Sequence, residues 1–151
     1  MNAQDPLSSL EDWVGPLLMK LTPPERRGLA RKIGQDLRRS QARRIAGQKN
    51  PDGSAYEPRK ATKAGGQRGR IRRKMFTKLR TARHLRMQAE EHAASIGFVG
   101  RTARIARVHQ EGQRDLIRPG GPGYPYPQRR ILGISDAERD RIKDLVVEHL
   151  C

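Results

Sequence analysis

The chain has 151 residues, of which 34% are hydrophobic, and its 32 Lys and Arg residues against 16 Asp and Glu residues give a net charge of +16. This length suffices for one modest core, and the single cysteine, Cys151, excludes an internal disulfide and a cysteine-based zinc site. The first residues are polar and acidic, and no apolar run approaches the roughly 20 residues that span a bilayer. We therefore expect a protein that is used in a cytoplasm or built into a particle there.

The positive charge is concentrated in one segment. Arg26 to Arg86 holds 21 basic and 3 acidic residues, whereas the rest of the chain holds 11 basic and 13 acidic ones. A segment with such an excess binds polyanions or acidic protein surfaces. The low apolar content also indicates that part of the order comes from a partner or from further copies of the chain.

Two helices are predicted at the N-terminal end, each opened by a hydroxyl residue with Glu three positions later. This spacing allows a capping box, in which both side chains satisfy free backbone N–H groups. The pairs are Ser8 with Glu11 and Thr22 with Glu25. The first helix carries an apolar stripe that Pro16 should kink or split. The second, long and basic, should end near Ala46 or Gly47.

The centre of the chain combines a turn, a loop and a hairpin. Asn50–Gly53 has the composition of a turn. Arg59–Arg73 is rich in Gly, Lys and Arg without an apolar period, which predicts a loop that is mobile in isolation. A short helix is predicted through Arg72–Leu79. Alternating apolar residues between His84 and Val99 then indicate a β-hairpin.

The C-terminal third begins with a short helix from Thr102 that Gly112 should stop. A brief strand is predicted at Leu116–Ile117, and the Pro/Gly/Tyr stretch Pro119–Pro127 is expected to form no regular structure. The last helix should run over about Asp136–Leu150. It follows a third capping-box pair, Ser135 with Glu138.

These elements predict an α+β fold with N-terminal helices, a central β-hairpin or small sheet, a short helix and a C-terminal helix. We expect a single domain over residues 1–151, with a basic mobile loop at about 54–74 and a Pro/Gly/Tyr arm at about 118–130. The residues expected in the core are Trp13, Ile33, Leu37, Phe98, Ile105, Leu132 and Leu145.

The sequence contains no catalytic, cofactor-binding or metal-binding motif, so we predict a protein that is not an enzyme and needs no cofactor or metal. The histidines have no metal-ligand spacing. His109 has two interpretations, of which the first is an acid, base or ligand. We favour the second, a partly buried histidine that bonds a backbone carbonyl and fixes a helix end, because no carboxylate stands at a defined spacing.

Two groups of residues are candidate contact sites. The first is the densest basic cluster, which suits nonspecific phosphate contact or docking on an acidic protein. Because no aromatic residues are interleaved with it, base-specific reading is not expected. The second is a pair of tyrosines between prolines, which suits a stiff arm laid on a partner or a surface turn. The residues are Arg68, Arg70, Arg72, Arg73 and Lys74 in the cluster and Tyr124 and Tyr126 in the arm.

Several segments spread over most of the chain form a distinctive series. They are Leu10–Trp13 with Leu17, Leu18 and Leu21; Pro24–Arg27; Asn50–Gly53 with Tyr56–Arg59; Met75–Arg80; Gly97–Gly100; Ala103–Gly112; and Arg130–Ser135. In order and spacing, this series resembles the phage virion morphogenesis family, the S-type tail completion proteins of contractile-tailed phages. Glu111 departs from the family pattern, in which an aromatic or aliphatic residue often precedes the glycine.

The resemblance implies a structural virion protein that completes the tail or neck so that head and tail can join. Such proteins are similar to ring-forming connector and terminator subunits, so the resemblance implies a homo-oligomeric ring, with six-fold symmetry favoured over twelve-fold. The implied partners are tail tube, sheath or connector proteins, with nonspecific contact to DNA in the channel left open and no membrane. The implied location is the tail or neck of the virion, after assembly in the host cytoplasm.

Composition alone leaves a second function open, a nonspecific nucleic-acid-binding protein of ribosomal or nucleoid type. Such a protein would bind duplex DNA with a steep salt dependence and form no ring. A neck subunit would instead form a ring or purify with tails.

Overall fold

The computed structural model describes residues 6–59 and 74–150. In chain order the elements are α1 (Pro6–Leu18), α2 (Pro23–Ala46), β1 (Leu85–Ala89), β2 (Ala94–Phe98), α3 (Arg101–Glu111), β3 (Arg114–Leu116), β4 (Gly123–Pro125) and α4 (Asp136–Leu150). The predicted α+β fold, with N-terminal helices, a central hairpin and a C-terminal helix, is confirmed. The chain divides into two compact units.

The first unit contains the described residues up to Ser40, the hairpin tip Met87–Ile96, and the chain from Ile134 onward. Its core lies where the apolar faces of α1, α2 and α4 meet, which is where the helical stripes predict it. The buried members of this core are Leu10, Leu29, Leu37, Ile142 and Val146, and Val14, Leu17, Leu18, Leu21, Ile33, Ile96 and Leu150 pack against them.

Two contacts hold the hairpin tip against α2. Gly34 allows a close approach, because a Cβ atom added there would lie 2.5 Å from Cγ of Met87. Arg26, one turn into α2, donates a hydrogen bond of 2.7 Å from Nη2 to Oε1 of Glu91 in the hairpin turn. The tip therefore forms part of the first unit.

Two of the three predicted capping boxes are confirmed. Thr22 N donates to Glu25 Oε2 at 2.8 Å and Glu25 N donates to Thr22 Oγ1 at 3.4 Å. Ser135 N and Glu138 N make the equivalent pair of bonds at 3.0 and 3.1 Å. The prediction at Ser8 is wrong, because α1 begins at Pro6 and Ser8 lies inside the helix.

The second unit contains the described residues of 41–86 and residues 97–133. Its buried apolar side chains are Ile45, Tyr56, Leu79, Leu85, Ala106, Val108 and Ile131. Gln110 anchors the segment after the arm: its Oε1 accepts from the backbone N–H groups of Ile131 and Leu132, and its Nε2 donates to the Leu132 carbonyl. The left-handed conformation of Gly112, at φ 64°, ends α3 where the sequence predicts.

Two local predictions are wrong, and a third is narrowed. Within Pro119–Pro127, Gly123–Pro125 forms strand β4, because Arg114–Leu116 offers it an antiparallel partner in which Asp115 faces Tyr124. The described part of Arg72–Leu79 forms turns instead of a helix, since Phe76 adopts φ 64°. Of the two effects expected of Pro16, a kink or a split, the split does not occur, because α1 continues to Leu18.

Burial agrees only in part with the predicted core. Leu37 and Leu145 are buried as predicted, and Ile33, Phe98 and Leu132 are half-buried. Trp13 is 40% exposed and Ile105 is 49% exposed, so both of these predictions are wrong. Successive helical residues are about 100° apart, which places Trp13 at the edge of the α1 stripe and turns Ile105 away from the buried Ala106.

Candidate interaction surface

The second unit contains a row of aromatic rings in edge-to-face contact. Tyr56, Phe76, His109, Tyr126 and Tyr124 follow one another with centroid separations of 5.8, 4.8, 5.0 and 4.9 Å. Such edge-to-face pairs add stabilisation beyond the area they bury. The two tyrosines of the predicted arm therefore pack against α3 through His109, and both are half-buried.

Arg129 holds this aromatic row in place through His109, and its side chain is buried, at 4% exposure. Its Nε donates to the Glu57 carbonyl at 2.8 Å and its Nη2 to the Pro58 carbonyl at 3.1 Å. Nη1 lies 3.1 Å from Nδ1 of His109. Because arginine only donates, Nδ1 accepts this bond and the neutral ring carries its proton on Nε2.

His109 differs from its predicted role in one respect. The ring is partly buried, as predicted, and the backbone carbonyl of His109 accepts from Gly112 N at the helix end. The hydrogen-bond partner of Nδ1, however, is the guanidinium of Arg129 instead of a backbone carbonyl. Burial, and secondarily the positive charge of Arg129, lower the pKa of His109 to about 4.

A cavity of about 490 Å³ opens beside the aromatic row. Its walls combine aromatic rings with positive charge, which suits an acidic side chain with apolar neighbours more than a metal ion or a neutral lipid. The lining residues are Arg59, Lys74, Met75, Phe76, Thr77, His109, Ile117, Tyr124, Tyr126 and Arg129.

Of the predicted site residues, the structure brings Lys74, Tyr124 and Tyr126 to this one cavity. Arg68, Arg70, Arg72 and Arg73 lie outside the described residues. The predicted mobile loop at about 54–74 opens with residues that the structure places: Ala55 forms a β-bridge with Lys49, and Tyr56 is buried. Sequence reasoning missed Arg129 and Phe76, for which no local signal exists, because their partners are distant in sequence.

The acid stability of the second unit should depend on His109. Since its pKa is about 4 in the folded chain and about 6.5 in an unfolded one, the unfolded state binds more protons between these values. The contribution of His109 to the free energy of unfolding is therefore fully present above pH 6.5 and is lost as the pH drops toward 4. The full pKa difference corresponds to about 3 kcal/mol, which partial exposure of the ring reduces to ~2 kcal/mol.

The measurement is urea unfolding of the wild type and of His109→Gln at pH 7.5 and pH 4.5. Glutamine still accepts from Arg129 but does not titrate, so the variant should lose less stability on acidification. Equal losses in both proteins would contradict the assignment.

Neither a membrane-spanning helix nor a metal site is found among the residues that the structure describes. No helix within residues 6–59 and 74–150 is long and apolar enough to cross a bilayer. Over the same part of the chain, no three His, Cys, Asp or Glu side chains are grouped so that they could hold a metal ion.

This chain is similar to phage proteins. Residues 5–151 match the phage virion morphogenesis family. The chain is 38% identical, over 141 residues, to tail completion protein S of Escherichia phage P2, and the match covers 93% of this chain and 94% of that protein. No solved structure matches the chain. With a match that runs nearly end to end, the chain belongs to the phage virion morphogenesis family.

Proposed function

We propose that this chain completes a phage tail as a ring subunit of the neck and thereby allows the head to join. The observation that carries the proposal is the 38% identity to a protein named for tail completion, over almost the full length of both chains. The family is one of structural virion proteins, and the proposed function involves no catalysis.

The ring is supported by the surface of the chain. Each unit has a small core, while several large apolar side chains remain exposed, including Met19 at 81% and Ile117 at 61%. Large exposed apolar side chains offer surface that another copy can cover, and contiguous patches of such side chains mark contacts with other proteins. A closed ring covers such side chains on every copy, and cyclic symmetry is the usual solution for homo-oligomers.

The positive charge is proposed to serve contacts between proteins. DNA must pass a neck ring, and a strongly basic lumen would retain it through phosphate contacts whose affinity rises with each neutralised phosphate. We infer that most of the basic side chains between Arg26 and Arg86 face virion proteins. The cavity beside Lys74 and Arg129 is a candidate receptor for an acidic side chain of such a partner.

The test is the mass of the assembly formed by the full chain, measured by native mass spectrometry on the purified protein and on necks released from virions. We expect a closed ring, with six copies favoured over twelve. A monomer in mature virions, or absence of the chain from them, would contradict the proposal. Salt-dependent binding to duplex DNA without any ring would favour the nucleoid-type alternative.

A further inference from the structure

Helix α2 carries a basic stripe on its outer surface. Arg27, Arg31, Gln35 and Arg39 follow one another at intervals of four residues, and all four are exposed. Residues four apart lie on the same face of a helix. The stripe, defined as Arg27, Arg31 and Arg39, therefore rises about 18 Å along the helix axis while it winds about 120° around it, at 1.5 Å and roughly 100° per residue.

Helix α4 carries an acidic stripe of the same length. Asp136, Asp140, Asp144 and Glu148 also recur every four residues, and all four are exposed. From Asp136 to Glu148 the helix advances by twelve residues, as it does from Arg27 to Arg39, so the acidic stripe also extends about 18 Å along its axis. Val147, 46% exposed, lies beside its last member and adds apolar surface.

The two stripes belong to the same unit but do not pair within the chain. The contacts between α2 and α4 use other residues: Ser40 Oγ donates to Glu138 Oε1 at 2.7 Å, and Arg141 Nε donates to Asp36 Oδ2 at 3.3 Å.

Within the part of the chain that the structure describes, the three arginines of the basic stripe have no ion pair, and neither do Asp140 and Asp144. Asp136 and Glu148 pair only loosely, at 3.5 Å, with Arg139 and Arg141 of their own helix. Each stripe is thus an exposed row of charge with its complement on the same molecule.

We propose that the acidic stripe of one copy docks on the basic stripe of the next copy. The inference rests on the proposed ring and names the contact that closes it. Because the contact joins two different surfaces, it is heterologous, and repetition of a heterologous contact closes a ring when the rotation allows. Equal length and opposite charge favour this pairing and suppress like-charge alternatives.

A second copy fits these observations better than DNA does. DNA would explain the basic stripe but would leave the acidic stripe without a role, and α4 would add repulsion near the phosphates. A partner copy explains both stripes and their matching length at once. It also predicts that association weakens as salt rises, because the paired side chains are solvent-exposed before contact.

The experiment reverses each stripe in the full chain. The basic-stripe variant carries Arg27→Glu, Arg31→Glu and Arg39→Glu, and the acidic-stripe variant carries Asp140→Lys, Asp144→Lys and Glu148→Lys. Asp136 is kept because an acidic residue in the first turn stabilises the helix N-terminus. Since every substituted side chain is exposed, circular dichroism should show an unchanged fold.

Each variant alone should associate at least ~10-fold more weakly than the wild type, because every contact then brings like charges together. An equimolar mixture should restore the ring, since each variant then finds an opposite charge on both neighbours. This rescue requires an even number of copies, as in a ring of six or twelve. A chain that carries all six substitutions should also assemble.

A control variant carries Arg80→Glu, Arg83→Glu and Arg101→Glu. It changes the net charge by the same amount as the basic-stripe variant, at exposed positions outside the stripe. It should assemble like the wild type. If both reversed variants form a ring as the wild type does, the proposed contact is overturned but the proposed ring is not. A mixture that fails to restore assembly would overturn the same contact. Loss of assembly in the basic-stripe variant only would mean that its arginines bind something else. A wild-type chain that forms no oligomer, even in the joined particle, would contradict the proposed ring as well.

Discussion

Replacing Leu29 with alanine should lower the free energy of unfolding by about 2–5 kcal/mol. Leu29 is 1% exposed and lies in the core of the first unit. Truncation removes buried apolar surface and leaves a cavity that its neighbours from α1 and α4 fill only in part. A domain of this size has about 5–15 kcal/mol of stability in total, so the variant should be poorly soluble or fail to assemble.

The measurement is equilibrium unfolding in urea, followed by circular dichroism. A matched pair of valines tests which face of α4 points into the core. Val146 is 1% exposed, and its neighbour Val147 is 46% exposed. Val146→Ala should be clearly destabilising, whereas Val147→Ala should change the free energy of unfolding by less than ~0.5 kcal/mol. A Leu29→Ala protein as stable as the wild type would contradict the described core.

Local sequence signals predict α2, α3, α4 and the hairpin close to their observed positions, but not the start of α1 or the absence of a helix at Met75–Leu79. The capping pairs at Thr22 and Ser135 are each satisfied within four residues, so the sequence alone contains both partners. The same holds for Gly112, which ends α3 in a left-handed conformation. Alternation of apolar residues over β1 and β2 predicts the hairpin, because its strands are neighbours in sequence.

The failures concern contacts between residues that are distant in the chain. Strand β4 forms in a stretch of prolines and glycines because β3 pairs with it, and propensity says nothing about such a partner. The carbonyl groups that accept from Arg129 lie more than 70 residues away, at Glu57 and Pro58. The aromatic cavity is therefore not predictable from the sequence, although the sequence predicts both of its tyrosines, Tyr124 and Tyr126, as contact residues.

Burial was predicted less well than secondary structure for a related reason. A helical stripe shows which residues share a face, but its centre depends on what packs against it. The α1 stripe centres near Leu10 and Val14, which leaves Trp13 at its edge. The exposed position of Trp13 is consistent with a residue that contacts another protein, since tryptophan is enriched at interfaces.

The most direct test of the tail-completion proposal is a joining assay. A phage that lacks the gene for this chain should give lysates with filled heads and separate tails, and few or no joined particles. Adding the purified wild-type chain to such a lysate should restore joined particles and plaque-forming titre by several orders of magnitude, which electron microscopy and plaque counts would measure. Normal joining without the chain, or separate heads and tails that remain separate after its addition, would contradict the proposal.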